Sequence, residues 1–365
     1  MRDFAGSAKV RNTGAAAFAA SSMLAAFIHP ALAEVSFEGK TIRFEIASTP
    51  SGPTDTMGRV FAPHIARYLP GKPAIQLDNR PGAAGVIAAN YIYNVAKPDG
   101  LTVGVLLGMV TSGLMQTGGV SFKPANFQMV GAISATQVLL VRKDAGLKTP
   151  ADFLKPAKPI VLASLGTGST TDAANRLFLD MIGAKYRYVT GYPGQAETIL
   201  ALSRDEANVA NASHTTYLQR RDNIRQEGLF DAFLQRGELT PEGGFKRNVS
   251  LPEVPTIVEA IQQIKPEALE SADFAAYRSV VGSMAVHYSF VLPPKTPPEI
   301  VEAFRKAMIQ ALDDPETRKS VQEIIKSDYD FVTGADGQKI VQELEKSYDA
   351  DPRVGARLKE IMAVK

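Results

Sequence analysis

Hydrophobic positions along the chain alternate between strand-like and helix-like spacing from about residue 40 onward. Residues 41–47 alternate apolar and polar side chains, as a strand does, and Met57, Val60, Phe61 and Ile65 then recur at helical spacing. Further strands are expected at 74–77, 101–107, 137–142, 160–163 and 186–189, with helices between them, one through Ala174 and Met181 and one at 196–203. This order predicts an open α/β sheet.

The last quarter of the chain has a different pattern. An extended, proline-rich segment at 292–298 precedes four expected helices at 299–312, 315–327, 335–348 and 352–362. The glycine-, serine- and threonine-rich segment 108–119 is expected to be a loop.

The first 33 residues have the features of a secretory signal. Arg2, Lys9 and Arg11 form a positive start, residues 15–28 are small and apolar, and Ala31-Leu32-Ala33 is an A-x-A cleavage pattern. An apolar stretch of this length is short of the ~20 residues that span a bilayer. We therefore expect cleavage after Ala33 and export to the periplasm.

Composition excludes several classes of chemistry. The 365 residues include no Cys, which excludes disulfides, thiolate metal sites and cysteine nucleophiles. The chain has 40 Lys+Arg and 38 Asp+Glu, and removal of the leader leaves 37 of each. With no basic run, the sequence predicts no nucleic-acid partner.

Three loops rich in small and hydroxyl residues lie between an expected strand and an expected helix. They are residues 48–55, 164–171 and 190–195. In open α/β sheets such loops lie at the carboxyl ends of strands, where helix amides and hydroxyls can bind an anion. Each loop alone is also compatible with ordinary helix capping. Together they favour an anion site formed by neutral hydrogen bonds.

Catalytic motifs are absent from the sequence. It contains no G-x-S-x-G and no H-E-x-x-H, and of the histidines after the leader, His64 and His287 are expected to be structural. His214 lies in a polar segment. The chain is therefore expected to be a non-enzymatic protein without metal or cofactor, and the alternative is a secreted hydrolase using Ser169, His214 and Asp172.

Several segments resemble, in order, the periplasmic receptors of tripartite tricarboxylate transporters, also called Bug-type receptors. The matching segments are S-T-P-S-G-P-T-D at 48–55, D-N-R-P-G-A-A-G at 78–85, P-D-G-L-T at 98–102, G-Y-P-G at 191–194, L-P-E-V-P-T at 251–256 and P-P-K-T-P at 293–297. The sequence departs from the family pattern at Pro53 and Ala84, which replace glycines, and in the longer segment 205–249.

The resemblance implies an α/β fold of the two-lobed, type II-like periplasmic-binding-protein clamshell, each lobe an open, mostly parallel sheet flanked by helices. The implied lobes are 34–138 with 289–365, and 139–288. A small organic carboxylate is the implied ligand, membrane transporter subunits are the implied partners, and the protein is expected to be a monomer. The expected ligand-binding residues are Ser48, Ser51, Gly52, Thr54, Asp55, Thr111, Ser164, Thr167, Ser169, Tyr192, Gly194, Asn211 and His214.

One further binding-protein alternative stays open. A receptor for a phosphonate- or sulfonate-like anion, feeding an ATP-driven importer, would have the same class of fold and the same kind of loops.

Overall fold

Two β-sheets with helices on their faces form the structure, a computed structural model that describes residues 35–362 apart from 117, 165–169, 193–194, 241 and 326–330. The strands are β1 Thr41–Ile46, β2 Ala74–Asn79, β3 Thr102–Leu107, β4 Gln128–Ile133, β5 Gln137–Arg142, β6 Ile160–Ala163, β7 Tyr186–Val189, β8 Val209–Ser213, β9 Phe230–Gln235, β10 Glu238–Leu239, β11 Phe245–Lys246, β12 Tyr288–Leu292 and β13 Phe331–Thr333. The helices are α1 Pro53–Tyr68, α2 Val86–Asn94, α3 Met109–Met115, α4 Thr170–Ile182, α5 Gln195–Ser203, α6 His214–Glu227, α7 Ile257–Ile264, α8 Ala272–Ala285, α9 Pro298–Asp313, α10 Pro315–Ile325, α11 Gly334–Ala350 and α12 Pro352–Met362.

The first sheet has the strand order β13-β4-β12-β3-β1-β2, and the second has the order β7-β6-β8-β5-β9. We call each sheet with its flanking helices a lobe. Both sheets are mixed, whereas mostly parallel sheets were expected. The antiparallel pairs arise because the strands next to the connections between the lobes run opposite to their neighbours. Strand β12 is antiparallel to β3 and β4, and β5 is antiparallel to β8 and β9.

Each sheet is covered on both faces, as the alternation of its buried side chains shows. In β5, Leu139 and Val141 pack into one apolar cluster, whereas Val138 and Leu140 pack into the cluster on the opposite face. A strand that is buried on both faces has a nearly continuous apolar sequence, and this explains why the run at 137–142 was recognisable.

The expected loop at 108–119 is wrong, because residues 109–115 form α3. Gly108 takes the left-handed conformation at φ 56°, and Met109, Val110 and Leu114 are buried on one side of the helix. Apolar burial therefore outweighs the low helix propensity of the glycine, serine and threonine residues in this segment.

The C-terminal helices span both lobes. Helix α11 packs on β4 of the first sheet and also on α8, whereas α12 packs on α8 and α4. Val354, Leu358 and Ile361 of α12 are buried in the same cluster as Leu177 and Phe178 of the second lobe. The last helix thus packs mainly on helices α8 and α4 of the second lobe, and it also touches α3 of the first.

Two short connections link the sheets, and they lie close to each other. The chain passes from β4 to β5 through residues 134–136, and returns from α8 to β12 through residues 286–287. The boundaries at 138/139 and 288/289 remain a prediction. Within the part of the chain that the structure describes, none of the helices combines the length and apolarity needed to cross a bilayer.

Candidate functional site

The carboxyl ends of the parallel strands in the two sheets meet across the connection at 134–136. In the first sheet, Leu107 at the end of β3 and Ile133 at the end of β4 both pair with Tyr288. In the second sheet, Gln137 at the start of β5 pairs with Ser213 at the end of β8. Since four residue steps span at most roughly 14 Å, these two edges are neighbours.

In the first lobe, the loop between β1 and α1 presents backbone amides at this edge. Helix α1 has Gly52 as its N-cap residue, and glycine has no side chain that could accept from the amides of the first turn. Pro53 removes one of the donors of the first turn, which leaves the amides of Thr54 and Asp55 at a positive helix end. The Ser48 hydroxyl donates locally to the Thr49 carbonyl, over 3.1 Å.

Asp55 serves to hold this loop in place. Its buried carboxylate accepts from the Ser51 amide (2.8 Å), Arg59 Nε (2.8 Å) and Asn79 Nδ2 (2.8 Å). Burial raises the pKa of this carboxyl, but the hydrogen bonds from Arg59, Asn79 and Ser51 together outweigh it and lower the pKa below its usual value. The Ser51 amide is therefore committed to Asp55, and Asp55 has its hydrogen-bonding partners within the protein.

The second lobe contributes a small polar cavity at the ends of β6 and β8. It has a volume of about 30 Å³, enough for a water or one small polar group. The lining residues are Ala163, Ser164, Thr171, Asp172, Gln195, Thr198 and Asn211. The Ser164 hydroxyl shares a hydrogen bond of 2.8 Å with the Tyr188 hydroxyl. Two expected site residues, Ser164 and Asn211, are thus brought together here.

The remaining expected residues lie in other surroundings. Thr111 on α3 donates from its hydroxyl to Ser283 of α8, over 2.8 Å, at the junction between the lobes. The Tyr192 hydroxyl donates to Glu206, over 3.3 Å. His214 begins α6, and its amide donates to the Thr136 carbonyl in the connection between the sheets. Thr167, Ser169 and Gly194 lie outside the described residues.

Two residues important for this edge were missing from the expected set. Asn79, at the end of β2, also donates from Nδ2 to the Ser48 carbonyl (3.0 Å), so it fastens the loop before α1 at two points. Arg236 lies behind the second-lobe cavity and donates to Thr171 and Asn211. The N-R-P-G turn, which the sequence shows clearly, contains Asn79 and could have pointed to it. For Arg236 the sequence gives only a weak signal, a charged residue directly after a largely apolar strand.

Two sheet-based lobes, joined by short connections and facing each other with loop-bearing edges, define the fold of the periplasmic solute-binding proteins. Solved structures with this fold include a solute-binding protein from Polaromonas without ligand, at 20% identity and a TM-score of 0.67, covering 86% of this chain and 98% of that one. A protein from Rhodopseudomonas palustris with adipate is 19% identical with a TM-score of 0.51 (87% and 97% covered). MatC from the same organism, with bound malate, is 20% identical with a TM-score of 0.50 (85% and 98%).

The family follows from the sequence itself. Residues 57–350 match the model of the tripartite tricarboxylate transporter family receptor, and the chain belongs to that family. The resemblance noted in the sequence is thereby confirmed. A search of curated protein sequences finds no match to this chain.

Proposed function

We propose that the protein is a periplasmic receptor that binds a small organic carboxylate between the two facing edges and delivers it to the membrane subunits of a tripartite transporter. The observation that carries this proposal is the short connection at 134–136, which brings the uncapped start of α1 and the polar cavity of the second lobe to neighbouring edges. Family membership and the malate and adipate bound by proteins of the same fold agree with it.

The chemistry of these edges suits a carboxylate. A hydrogen bond to a charged group contributes about 1.5–3 kcal/mol, so several amides and hydroxyls around one carboxylate can supply micromolar binding, about −8 kcal/mol, after the cost of association. On the first lobe these donors are the Thr54 and Asp55 amides, and the Ser48 hydroxyl joins them by turning away from the Thr49 carbonyl. On the second lobe they are the side chains of Ser164 and Asn211. Closure of the lobes on the ligand would present a changed surface to the transporter.

A binding screen tests the proposal. The full chain, exported with its leader and purified, is titrated calorimetrically with succinate, malate and adipate, with methylphosphonate and taurine as other anions. We expect micromolar binding of at least one carboxylate and a raised melting temperature at saturation. Asn211→Ala should weaken this binding at least tenfold, whereas Asn126→Ala, an exposed asparagine of the first lobe, should not.

Other outcomes would contradict it. Binding of taurine or methylphosphonate without any carboxylate would indicate the receptor of an ATP-driven importer. Turnover of a nitrophenyl ester that is lost in His214→Ala would indicate a hydrolase. The mass of the exported protein tests the leader, because cleavage after Ala33 leaves a chain that begins at Glu34. A monomeric mass in solution is expected for the same material.

A further inference from the structure

Arg236 is an arginine buried in the second lobe, directly after β9, with only 1% of its surface exposed. Its backbone is fixed on both sides: the amide donates to the Gln137 carbonyl (3.2 Å), and its carbonyl accepts from the Tyr277 hydroxyl (3.3 Å). The guanidinium is therefore held inside the lobe by a rigid main chain.

The guanidinium has neutral partners. Nη2 donates to the Thr171 carbonyl (2.8 Å) and approaches Asn175 Oδ1 and Asn211 Oδ1 at 3.4 Å each, and Nη1 lies 3.0 Å from the sulfur of Met284. Within the described part of the chain, Nε has no acceptor and no carboxylate comes within 4.0 Å to form an ion pair. Burying a cation without a close counter-charge is costly, so a positive charge kept at this position calls for an explanation.

The charge is retained at neutral pH. Burial lowers the pKa of Arg236 to about 10, and the attraction of Asp172 opposes this fall. A group with this pKa is protonated at pH 7. The interior of the second lobe therefore carries a fixed positive charge.

This charge lies directly behind the wall of the polar cavity. Thr171 and Asn211, which accept from Nη2, both line the cavity. Because Asn211 turns its Oδ1 toward the guanidinium, its NH₂ group remains as a donor for a guest. Nearby, the buried Nδ2 of Asn175 also has no acceptor among the described residues. The Asn211 amide and the positive charge behind it favour a negatively charged guest on this side of the cavity.

Asp172 brings the opposing charge. It lines the same cavity and contacts the Tyr188 hydroxyl. Alone, this carboxylate would repel a carboxylate guest. With Arg236 behind the wall, the pair sums to zero, and the cavity's hydroxyl and amide donors then decide what binds.

We infer that Arg236 is a specificity-determining residue of this receptor: its charge offsets Asp172 and makes the second-lobe cavity fit for the negatively charged end of the ligand. This inference rests on the proposed function and adds to it a residue that acts by charge, through Asn211 and the cavity wall, without itself lining the cavity. It predicts that the receptor discriminates between ligands by the charge at that end.

The test compares adipate with monomethyl adipate, which has the same chain and one negative charge fewer, on the exported full-length protein. Arg236→Met should lower the affinity for adipate by at least tenfold, and should lower the preference for adipate over its monoester by a similar factor. The double variant Arg236→Met/Asp172→Asn should recover most of this loss. Arg278→Met, which removes another second-lobe arginine whose Nε has no acceptor among the described residues, is the matched control and should leave the preference unchanged.

The possible results separate the hypotheses. Equal loss for both ligands, without recovery in the double variant, would show that Arg236 only supports the fold and would overturn the inference. A ligand-free measurement keeps the test decisive if Arg236→Met is unstable: the thermal stability cycle of Arg236→Met and Asp172→Asn should show coupling, and purely additive effects would refute the charge pairing. If the wild type binds none of succinate, malate and adipate, the proposed function fails, while the stability cycle still decides the pairing.

Discussion

The loop before α1 depends on one amide from the neighbouring strand, and Asn79→Ala tests this dependence. Nδ2 of Asn79 donates both to the buried carboxylate of Asp55 and to the Ser48 carbonyl, and Oδ1 accepts from Arg59 Nη2 over 3.1 Å. The substitution removes all three contacts and leaves the backbone of β2 in place.

The expected loss follows from these partners. A hydrogen bond to a charged group contributes about 1.5–3 kcal/mol and one to a neutral carbonyl about 0.5–1.5 kcal/mol. Two of the three contacts of Asn79 are to charged groups, but Asn79 is only half-buried and its contact with Arg59 is exposed. We therefore take the lower part of the summed range and expect the free energy of unfolding to fall by about 2–3 kcal/mol. The pKa of Asp55 should rise toward its usual value, because one of the donors that lower it is gone. Wild-type stability from Asp55 is present above its unfolded pKa and is lost as the pH falls through its lower folded pKa, so the variant should lose this contribution at a higher pH.

Urea unfolding at pH 7 and at pH 4, together with calorimetric titration of the bound carboxylate, measures these effects. Gln76→Ala is the matched control, because Gln76 is an exposed amide on the same strand whose Nε2 donates only to Asp78 beside it. We expect the control to stay within about 0.5 kcal/mol of the wild type. A loss below 0.5 kcal/mol in Asn79→Ala, with unchanged ligand affinity, would refute the positioning role.

Three further predictions concern other parts of the fold. Burial lowers the pKa of His287 to about 4, so the folded state is penalised as the pH falls below the unfolded pKa of about 6.5. We expect the free energy of unfolding to drop by about 3 kcal/mol between neutral pH and pH 4. His287→Gln should remove this drop in urea titrations across that range. In α11, a Cβ on Gly334 would collide with the Val130 carbonyl oxygen, so Gly334→Ala should lower the free energy of unfolding by more than about 2 kcal/mol. Gly337→Ala, which faces the end of a flexible methionine, should be neutral or stabilising, and equal melting temperatures of the two variants would contradict this. Arg357→Ala should destabilise the protein by about 1–2 kcal/mol and speed amide exchange in α12, since its guanidinium pairs with Asp180 (2.7 Å) and Asp273 (2.9 Å); unchanged exchange would count against it.

The sequence allowed the strand–loop–helix units to be predicted wherever the local pattern was strong. Residues 160–163, 186–189 and 352–362 form the expected elements with the expected bounds. Strand β4 was missed, because its run Q-M-V-G-A-I has a glycine in its middle and no clear alternation. Helix α3 is not predictable from local propensity, because its glycine, serine and threonine residues favour a loop and only the burial of Met109, Val110 and Leu114 stabilises the helix.

The site was predictable only in its outline. The loops at strand ends could be listed, because the alternation of elements indicates which loops follow strands. The hydrogen bond between Asp55 and Asn79 could not be predicted, since Asn79 comes from the next strand, 24 residues away. The surroundings of Arg236 likewise depend on tertiary contacts between β9, α4 and β8. A local sequence pattern does not predict such contacts.

The packing of α12 has a practical consequence for testing whether the two lobes move relative to each other. The last helix follows α11 in the chain but packs on α4 and α8, so a fluorophore or spin label placed near the C-terminus would travel with the second lobe. A partner label on an exposed position of α1 would stay with the first. The distance between such a pair would report any change in the angle between the lobes when a ligand is added.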